Sequence, residues 1–359
     1  MKPDSTPTPT QEHGEPQKKQ WLWTLLFIAI AVISVLAVVM QSREFSLSQF
    51  AEFISDASLP WLSVSFLSML CFILFEGFAV LCLCRAFGYK KGFGSGFLYS
   101  ASDIYFSAIT PSATGGQPIS AYFMVKDGIP GMLVTVALVA NLYMYVLAIL
   151  AIGLICFVFY PEVFMGFNTF SKLLIVVGVV AQIGLGAFFY LLLKHDGLMR
   201  RLCSKVLHLL CKLRILKNEE QKQEKLNAYM DKYRGYSEML SGHRKTLLIV
   251  FLFNLIQRAA QIAVTMFTYL ATGGDPQNAG QLFAMQGYVV LGSNFVPIPG
   301  GMGVSDYLML DGFRKIMSES AAVNLELLSR SFSFYICIII CGIATLLGYR
   351  TVKKRSKKQ

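Results

Sequence analysis

An arginine in the middle of an apolar stretch is the side chain of this sequence that most clearly indicates a chemical role. Arg258 lies at the centre of residues 246–271, a stretch longer than the roughly 20 residues that cross a bilayer. A charged side chain at such a position costs about 2.5–3.5 kcal/mol to insert. Asn254, Gln257 and Gln261 recur beside it at helical spacing, which predicts an inward-facing polar stripe on this helix.

The chemistry that suits such an arginine is anion binding. A guanidinium group binds phosphate through two parallel hydrogen bonds, and the abundant phosphates of a membrane belong to lipid head groups. We therefore predict that Arg258 binds a phospholipid head group, with a structural ion pair to Glu76 as the alternative. Asp103 and Asp306 are the other acidic side chains near the predicted site. All three acids can pair with Arg258, respond to protonation or bind a cationic amine, and the sequence leaves these roles open.

Two similar segments place glycine and proline inside apolar sequence. Residues 107–124 read SAITPSATGGQPISAYFM, and residues 293–309, which begin 186 positions later, read SNFVPIPGGMGVSDYLM. A broken helix is tolerated in lipid only where it packs in protein or lines a polar cavity. Paired interruptions of this kind indicate the substrate site of a transporter.

The two motifs offer hydroxyl groups and backbone freedom at matched positions. Ser120 and Tyr122 correspond to Ser305 and Tyr307, and we expect these hydroxyl groups to line a cavity or to satisfy unwound backbone. Glycine permits close approach and proline ends helices, so the half-helix after each glycine pair exposes N–H groups that can bind an anion. The motif residues with these properties are Pro111, Gly115, Gly116, Pro297, Pro299, Gly300 and Gly301.

Composition places these residues in a helical membrane protein. The chain has 359 residues, of which 55% are hydrophobic and only 15% charged. We predict an all-α polytopic membrane protein with about six full spans and two segments broken by glycine and proline. The predicted spans are 21–40, 60–84, 131–160, 172–194, 246–271 and 328–349, and the broken segments are 97–125 and 281–311.

Basic residues predict the orientation of these spans. With a cytoplasmic N-terminus, the cytoplasmic segments carry 26 lysines and arginines and the outer segments carry five, among them Arg330. This ratio favours cytoplasmic N- and C-termini. We expect the broken segments to be re-entrant, the first from the cytoplasm and the second from outside, which makes the two halves an inverted repeat. Two complete crossings are the alternative.

The remaining segments complete the domain plan. Residues 1–17 lack an apolar period and are predicted to be a disordered tail. Residues 18–194 form the first membrane half and residues 246–350 the second. Between them, residues 195–245 form a basic amphipathic cytoplasmic connector, which we expect to lie on an anionic membrane surface, to pack on the other helices, or both. Residues 351–359 are a basic cytoplasmic tail.

Several classes of function find no support in the sequence. The HExxH, GxSxG and P-loop motifs are absent, so catalysis by this chain alone is disfavoured. Cys203, His208 and Cys211 fit the apolar and basic faces of one helix, and we predict neither a metal nor another cofactor. The net charge of +11 is explained by orientation in the membrane rather than by DNA binding.

The motifs resemble those of a known family. TPSATGGQP at 110–118, AYFMVKDGI at 121–129 and PIPGGMGVSDYLML at 297–310 resemble the flippase-like membrane domain of the lysylphosphatidylglycerol synthase family, also called the multiple peptide resistance factor family. The resemblance covers nearly the whole chain after the tail. In two-domain members, a soluble aminoacyltransferase domain transfers lysine from charged tRNA to phosphatidylglycerol, and the membrane domain moves the product to the outer leaflet.

The resemblance implies a lipid translocase of the bacterial plasma membrane that moves aminoacylated phosphatidylglycerol or a related lipid and protects against cationic peptides. The chain stops nine residues after Arg350, so we expect the soluble domain to be missing. The alternative is a membrane subunit in aminoacyl-lipid synthesis, with a phosphatidylglycerol lysyltransferase on a separate chain. The expected partners are a membrane phospholipid, with a separate aminoacyltransferase or a second copy of the chain as further options. Many relatives have a basic residue near Ser120 and Glu at the position of Asp306, which leaves the head-group charge open.

Overall fold

The described part of the protein is almost entirely helical. The computed structural model describes residues 53–110, 115–212, 219–298 and 301–356, and these ranges contain no β-strand. The predicted tail 1–17 and the predicted span 21–40 lie outside the described residues. In chain order the helices are α1 (Leu59–Ala86), α2 (Phe93–Ile109), α3 (Gly116–Lys126), α4 (Gly131–Phe159), α5 (Pro161–Gly166), α6 (Thr169–Lys194), α7 (Asp196–Lys212), α8 (Glu219–Gly242), α9 (Arg244–Ala271), α10 (Ala279–Ser293), α11 (Val304–Phe313), α12 (Glu319–Arg330) and α13 (Cys337–Ser356).

Five of the described helical stretches are long and apolar enough to cross a membrane. They are α1, α4, α6, α9 and a last stretch, Glu319–Thr351, in which a π-helical turn at Ser331–Ile336 joins α12 to α13. The predicted all-α polytopic membrane protein is therefore confirmed. The last span begins at Glu319 rather than at 328. Its first turns contain polar residues, so hydropathy alone placed the start of the helix too late.

Helices α1 and α9 form an antiparallel pair at the centre of the bundle. At one end, the Ser58 N–H donates to the Ala271 carbonyl over 2.6 Å. Towards the other end, the rings of Phe78 and Phe253 lie 6.0 Å apart. Both helices have 28 residues and each directly precedes one broken segment. The two helices therefore run in opposite directions, as the predicted inverted repeat requires.

The first broken segment is a hairpin made of α2 and α3. Its ends meet, because the Lys91 ammonium, just before α2, donates to the backbone carbonyl of Asp127, just after α3. The Tyr99 hydroxyl in α2 also donates to the Asp127 carboxylate over 2.6 Å. The chain therefore enters and leaves on one side, as predicted for a re-entrant segment. We call α2 and α3 hairpin 1.

The second broken segment, made of α10 and α11, folds back in the same way and is called hairpin 2. Gln281 at the start of α10 and Lys315 just after α11 line one small cavity of about 130 Å³. Hairpin 1 enters the bundle from the side where α1 ends, and hairpin 2 from the side where α9 ends. The two segments therefore enter from opposite sides, as the inverted arrangement requires.

The connector between the two halves consists of α7 and α8. Helix α8 packs on the end of α6, where the buried Tyr233 hydroxyl donates to the Leu192 carbonyl over 3.0 Å. Burial, with a smaller effect of nearby Cys203, raises the pKa of Tyr233 to about 12, so the phenol keeps its proton. Leu202 and Val206 of α7 stay exposed, and contact of this face with a membrane surface remains a prediction.

Candidate functional site

The polar stripe of α9 faces the interior of the bundle, as its spacing predicts. Asn254 and Gln257 are buried, whereas Arg258 and Gln261 are partly buried. The Asn254 side-chain amide donates to the Asn141 side chain of α4 over 3.0 Å. Helix α9 therefore presents amide and guanidinium groups to its neighbours near the middle of the bundle.

Two carboxyl groups lie together beside this stripe. Glu76 of α1 accepts a hydrogen bond from the Gln257 amide over 3.1 Å. The carboxyl group of Asp103 from hairpin 1 lies against that of Glu76. Exposed fractions of 8% for Glu76 and 7% for Asp103 leave both carboxyl groups almost without solvent. The structure therefore brings together two predicted site residues that are distant along the chain from Gln257.

Asp103 connects this pair to the first motif. It accepts hydrogen bonds from the Gln117 amide over 2.6 Å and from the Ser107 hydroxyl over 3.2 Å. A Cβ atom on Gly116 would lie 2.0 Å from a carboxylate oxygen of Asp103, so only glycine fits there. The N-terminal end of α3, where the helix dipole favours an anion, thus faces a carboxylate of the protein itself.

Arg258 lies between two aromatic rings. Its guanidinium carbon is 4.0 Å from the ring centre of Tyr145 in α4 and 5.4 Å from that of Phe72 in α1. One of its terminal nitrogens donates to the Gln261 side-chain oxygen. No ion pair within 4 Å between described residues includes Arg258. The predicted alternative of a direct ion pair with Glu76 is therefore not formed, although the charge of Arg258 acts on Glu76 and Asp103 from a longer distance.

Three polar atoms of this cluster are buried without a hydrogen-bond partner among the described residues. They are Nε of Arg258 and the side-chain oxygens of Gln117 and Gln257. A buried polar atom that makes no hydrogen bond costs about 1–3 kcal/mol. Such a cost is recovered when a ligand supplies the partner, so the cluster is suited to a ligand that both accepts and donates hydrogen bonds.

The second motif reaches the same cluster through Tyr145. The Tyr145 hydroxyl donates to the Asn294 side-chain oxygen over 3.2 Å, and Asn294 directly follows α10 in hairpin 2. Hairpin 1 touches the cluster through Asp103 and Gln117. Both broken segments therefore adjoin Arg258, and we call Glu76, Asp103, Gln257 and Arg258, with their partners named above, the Arg258 cluster.

Ser305 and Asp306, which the sequence grouped with Arg258, lie instead beside Arg330. The Arg330 guanidinium donates to Ser305 and forms an ion pair with Asp306, and its Nε lies 3.4 Å from a carboxylate oxygen of Glu326. The other oxygen of Asp306 accepts the Gly303 N–H over 2.8 Å. We call this group the Arg330 cluster.

Arg330 was predicted to lie in an outer segment, and that prediction is wrong. The side chain is only 7% exposed, and Arg330 lies eleven residues after the start of the last span, Glu319–Thr351. The spacing of Glu326 and Arg330, four residues apart on a helix, was the available signal for their pairing.

The remaining predicted site residues have other surroundings. Ser120 is buried, whereas Tyr122 is 41% exposed beside Lys126. The Tyr307 hydroxyl accepts a hydrogen bond from the Asn168 amide over 2.7 Å. The motif glycines and prolines divide as follows: Gly115, Gly116, Pro297 and Gly301 are described, and Pro111, Pro299 and Gly300 lie outside the described residues.

Gln117, Asn141, Tyr145 and Asn294 belong to the site but were not predicted. Asn141 is a polar side chain within an apolar span, and Gln117 directly follows the glycine pair, so both carried a readable signal. Tyr145 and Asn294 carried none, because only the fold brings them together. Within the described ranges, no three His, Cys, Asp or Glu side chains form a group that could hold a metal ion.

Comparison with known proteins places these clusters in a family. Residues 26–341 match the family described as the lysylphosphatidylglycerol synthase TM region, and this range includes both hairpins and both arginine clusters. The chain is also 22% identical over 259 residues to the UPF0104 membrane protein PH1989 of Pyrococcus horikoshii, an alignment that covers 68% of this chain and 73% of that protein. The chain is therefore a multi-pass membrane protein that belongs to the family of the lysylphosphatidylglycerol synthase transmembrane region.

Proposed function

We propose that this protein is a lipid translocase that moves a phospholipid between the two leaflets, with Arg258 binding the phosphate. The observation that carries the proposal is the state of Arg258 in the middle of α9. It is partly buried, its Nε has no hydrogen-bond partner among the described residues, and no described carboxylate lies within ion-pair distance. A costly intramembrane arginine that contacts no described carboxylate is suited to an anionic ligand.

The acids of the cluster favour a head group that also carries a positive charge. Glu76 and Asp103 together place two carboxyl groups beside the single guanidinium of Arg258. An ammonium group of the lipid would interact favourably with these carboxyl groups while its phosphate contacts Arg258. Aminoacylated phosphatidylglycerol has both groups, and related amine-containing phospholipids share this chemistry.

The hairpins supply a route by which the head group can cross. They enter from opposite sides, and both adjoin the Arg258 cluster through Gln117 and Asn294. Opening on one side and then on the other would expose Arg258 to each leaflet in turn, as in carriers built from inverted repeats. We propose that the protein works in a bacterial plasma membrane with both termini cytoplasmic, on the basis of 26 against four basic residues once Arg330 is assigned to the last helix.

Leaflet exchange in proteoliposomes tests this function. Head-group-labelled phosphatidylglycerol and its lysylated form are compared in vesicles with the native protein, with Arg258→Ala and without protein. We expect exchange by the native protein and a return to the empty-vesicle rate in Arg258→Ala. Arg234→Ala, which changes an exposed arginine of α8, is the matched control and should exchange lipid like the native protein. A native rate equal to that of empty vesicles for both lipids would refute the proposal.

The family description favours one second candidate, a membrane subunit for aminoacyl-lipid synthesis. The matched region is described as part of a lysylphosphatidylglycerol synthase, and the basic face of α7 offers a surface for a partner enzyme or tRNA. Lipid extracts of a strain without the gene separate the two candidates. Loss of total aminoacylated phosphatidylglycerol would indicate synthesis, whereas an unchanged total with a smaller outer-leaflet fraction would indicate translocation.

A further inference from the structure

The Arg330 cluster holds two carboxyl groups around one guanidinium in a site closed to solvent. Glu326 and Asp306 are 0% and 2% exposed, and Arg330 is 7% exposed. The Arg330 guanidinium contacts both carboxyl groups. If both were ionised, the buried cluster would carry an excess negative charge, which is strongly unfavourable away from water.

The hydrogen bonds show which of the two acids is poorly suited to ionisation. Asp306 uses one oxygen to accept from Arg330 and the other to accept the N–H of Gly303, at the start of α11 where the helix dipole also favours an anion. Neither oxygen of Glu326 accepts a hydrogen bond from a described residue. One of its oxygens lies 3.4 Å from Nε of Arg330, and its carboxyl group lies against that of Asp306. Asp306 is therefore stabilised as the anion, and Glu326 is not.

Among the described residues, the neighbouring elements offer no second positive charge to Glu326. The groups of α11 that face the cluster are Ser305 and Asp306, and the π-helical turn contributes the Tyr335 phenol, which acts on Arg330. On α9, the charged side chain within the span is Arg258, and its charge acts on Glu76 and Asp103. Arg330 is thus the positive group shared by both acids of this cluster.

We propose that Glu326 is a proton-binding site whose protonation depends on the position of hairpin 2. In the arrangement described, Asp306 forms the ion pair with Arg330, and Glu326 carries a proton. When hairpin 2 moves Asp306 away, water enters the opened site and takes the proton of Glu326, and the resulting carboxylate pairs with Arg330. The guanidinium keeps one carboxylate partner in each arrangement, and one proton is released for each outward movement of Asp306.

The positions of the four side chains allow Arg330 to change its carboxylate partner without a rearrangement of α12. Ser305 and Asp306 belong to hairpin 2, whereas Glu326 and Arg330 are one helical turn apart on α12. Neighbours four residues apart on a helix reach one another without a backbone change. If the protein is the lipid translocase proposed above, movement of hairpin 2 during transport would be linked to proton binding.

Infrared spectroscopy of the purified full chain detects the proton directly and does not depend on lipid transport. At neutral pH, the difference spectrum between the native protein and Glu326→Gln should contain one protonated-carboxyl band. Glu319→Gln, on the same helix but with an exposed carboxylate that pairs with Arg314 over 2.8 Å, should show only the band of an ionised carboxylate. An ionised-carboxylate band in the Glu326→Gln difference would overturn the proposal.

Asp306→Asn tests the exchange of partners. Removal of this charge leaves Glu326 as the carboxylate partner of Arg330, so the protonated-carboxyl band should disappear in the variant. Persistence of the band would contradict the exchange. If Asp306→Asn fails to fold, the Glu326→Gln spectrum still decides whether the proton is present.

The link to transport is measured separately in the exchange assay. Glu326→Gln should make lipid exchange less dependent on pH than in the native protein, and an unchanged pH dependence would contradict the link. Absence of exchange by the native protein would refute the proposed translocase, whereas the infrared band would still decide the proton site.

Discussion

Arg258 and Arg330 both place a guanidinium group inside the helical bundle, but the two side chains meet different partners. Arg330 is buried and contacts Asp306, Ser305 and Glu326. Arg258 is partly buried, lies near two aromatic rings and forms no ion pair within 4 Å with a described residue. The difference separates an arginine whose partners are supplied by the protein from one that is available to a ligand.

The acids explain why the two arginines differ. Asp306 binds Arg330 directly, whereas Glu76 and Asp103 are held by the side-chain amides of Gln257 and Gln117. Amide groups satisfy these carboxylates without bringing the guanidinium of Arg258 into contact. The Arg258 cluster therefore keeps the guanidinium apart from the carboxyl groups, which suits a head group with a phosphate and an ammonium group.

The largest expected effect is a difference between the two arginines in the free energy of unfolding that is lost on substitution by alanine. Arg330→Ala leaves Asp306 buried without its counter-charge, and removal of one partner of a buried ion pair costs about 3–5 kcal/mol. Arg258→Ala removes no close ion pair and should cost about 1 kcal/mol, within the usual range for single substitutions. Thermal unfolding of both variants in one detergent provides the measurement. Equal losses, or a larger loss in Arg258→Ala, would contradict the assignment of Arg330 to structure.

A somewhat smaller effect is expected where hairpin 1 touches the Arg258 cluster. Gly116→Ala would place a methyl group 2.0 Å from the Asp103 carboxylate, and overpacking of this kind costs about 1–3 kcal/mol. Gly94→Ala, also in hairpin 1, meets nothing within 4 Å and serves as the control. We expect a lower unfolding temperature and slower lipid exchange only in Gly116→Ala. The same loss in both variants would indicate a general effect of alanine in this hairpin.

Hairpin 2 depends on a glycine for a different reason. Gly303 has φ of +83° just before α11 and open space around it, so alanine there is strained rather than crowded. We expect Gly303→Ala to lower stability by about 1–2 kcal/mol. Gly184→Ala on α6 has equally open surroundings without a positive φ and should not destabilise the protein. If Gly303→Ala unfolds at the native temperature, the strained start of α11 is not required.

The smallest expected effect is the coupling energy between the polar stripe of α9 and helix α4. The side chains of Asn254 and Asn141 share a hydrogen bond of 3.0 Å between α9 and α4. Such bonds between membrane helices contribute about 0.6 kcal/mol on average. A double-mutant cycle with alanine at both positions should give a coupling energy of this size. No measurable coupling would show that the bond does not contribute to the packing of α9 on α4.

The parts of this fold that could be predicted are those with local signals. Glycine and proline within apolar sequence marked both hairpins, since a broken helix in a membrane needs protein or water around it. The spacing of Asn254, Gln257 and Gln261 marked the inner face of α9, because residues three or four apart share one side of a helix. These signals act over a few residues and do not depend on the rest of the chain.

The partners of charged side chains could not be predicted. Asp306 meets Arg330 rather than Arg258 because α11 packs against α12, and no local pattern encodes that contact. The start of the last span was also placed too late, because Glu319 and its polar neighbours resemble a loop although Ser318 caps the helix. The prediction also counted Arg330 with the outer residues although the predicted span began at 328, and it did not identify the Arg330 cluster.

The central claim is that Arg258 binds the phosphate of a lipid, and its most direct test is equilibrium binding of a short-chain phosphatidylglycerol to the purified protein. The native chain and Arg234→Ala should bind it with the same affinity. Arg258→Ala should bind about 10- to 100-fold more weakly, as expected for loss of a hydrogen bond between charged groups, and Arg258→Lys should fall between, because lysine keeps the charge but loses the planar fork. Equal affinities of the native protein and Arg258→Ala would contradict the account.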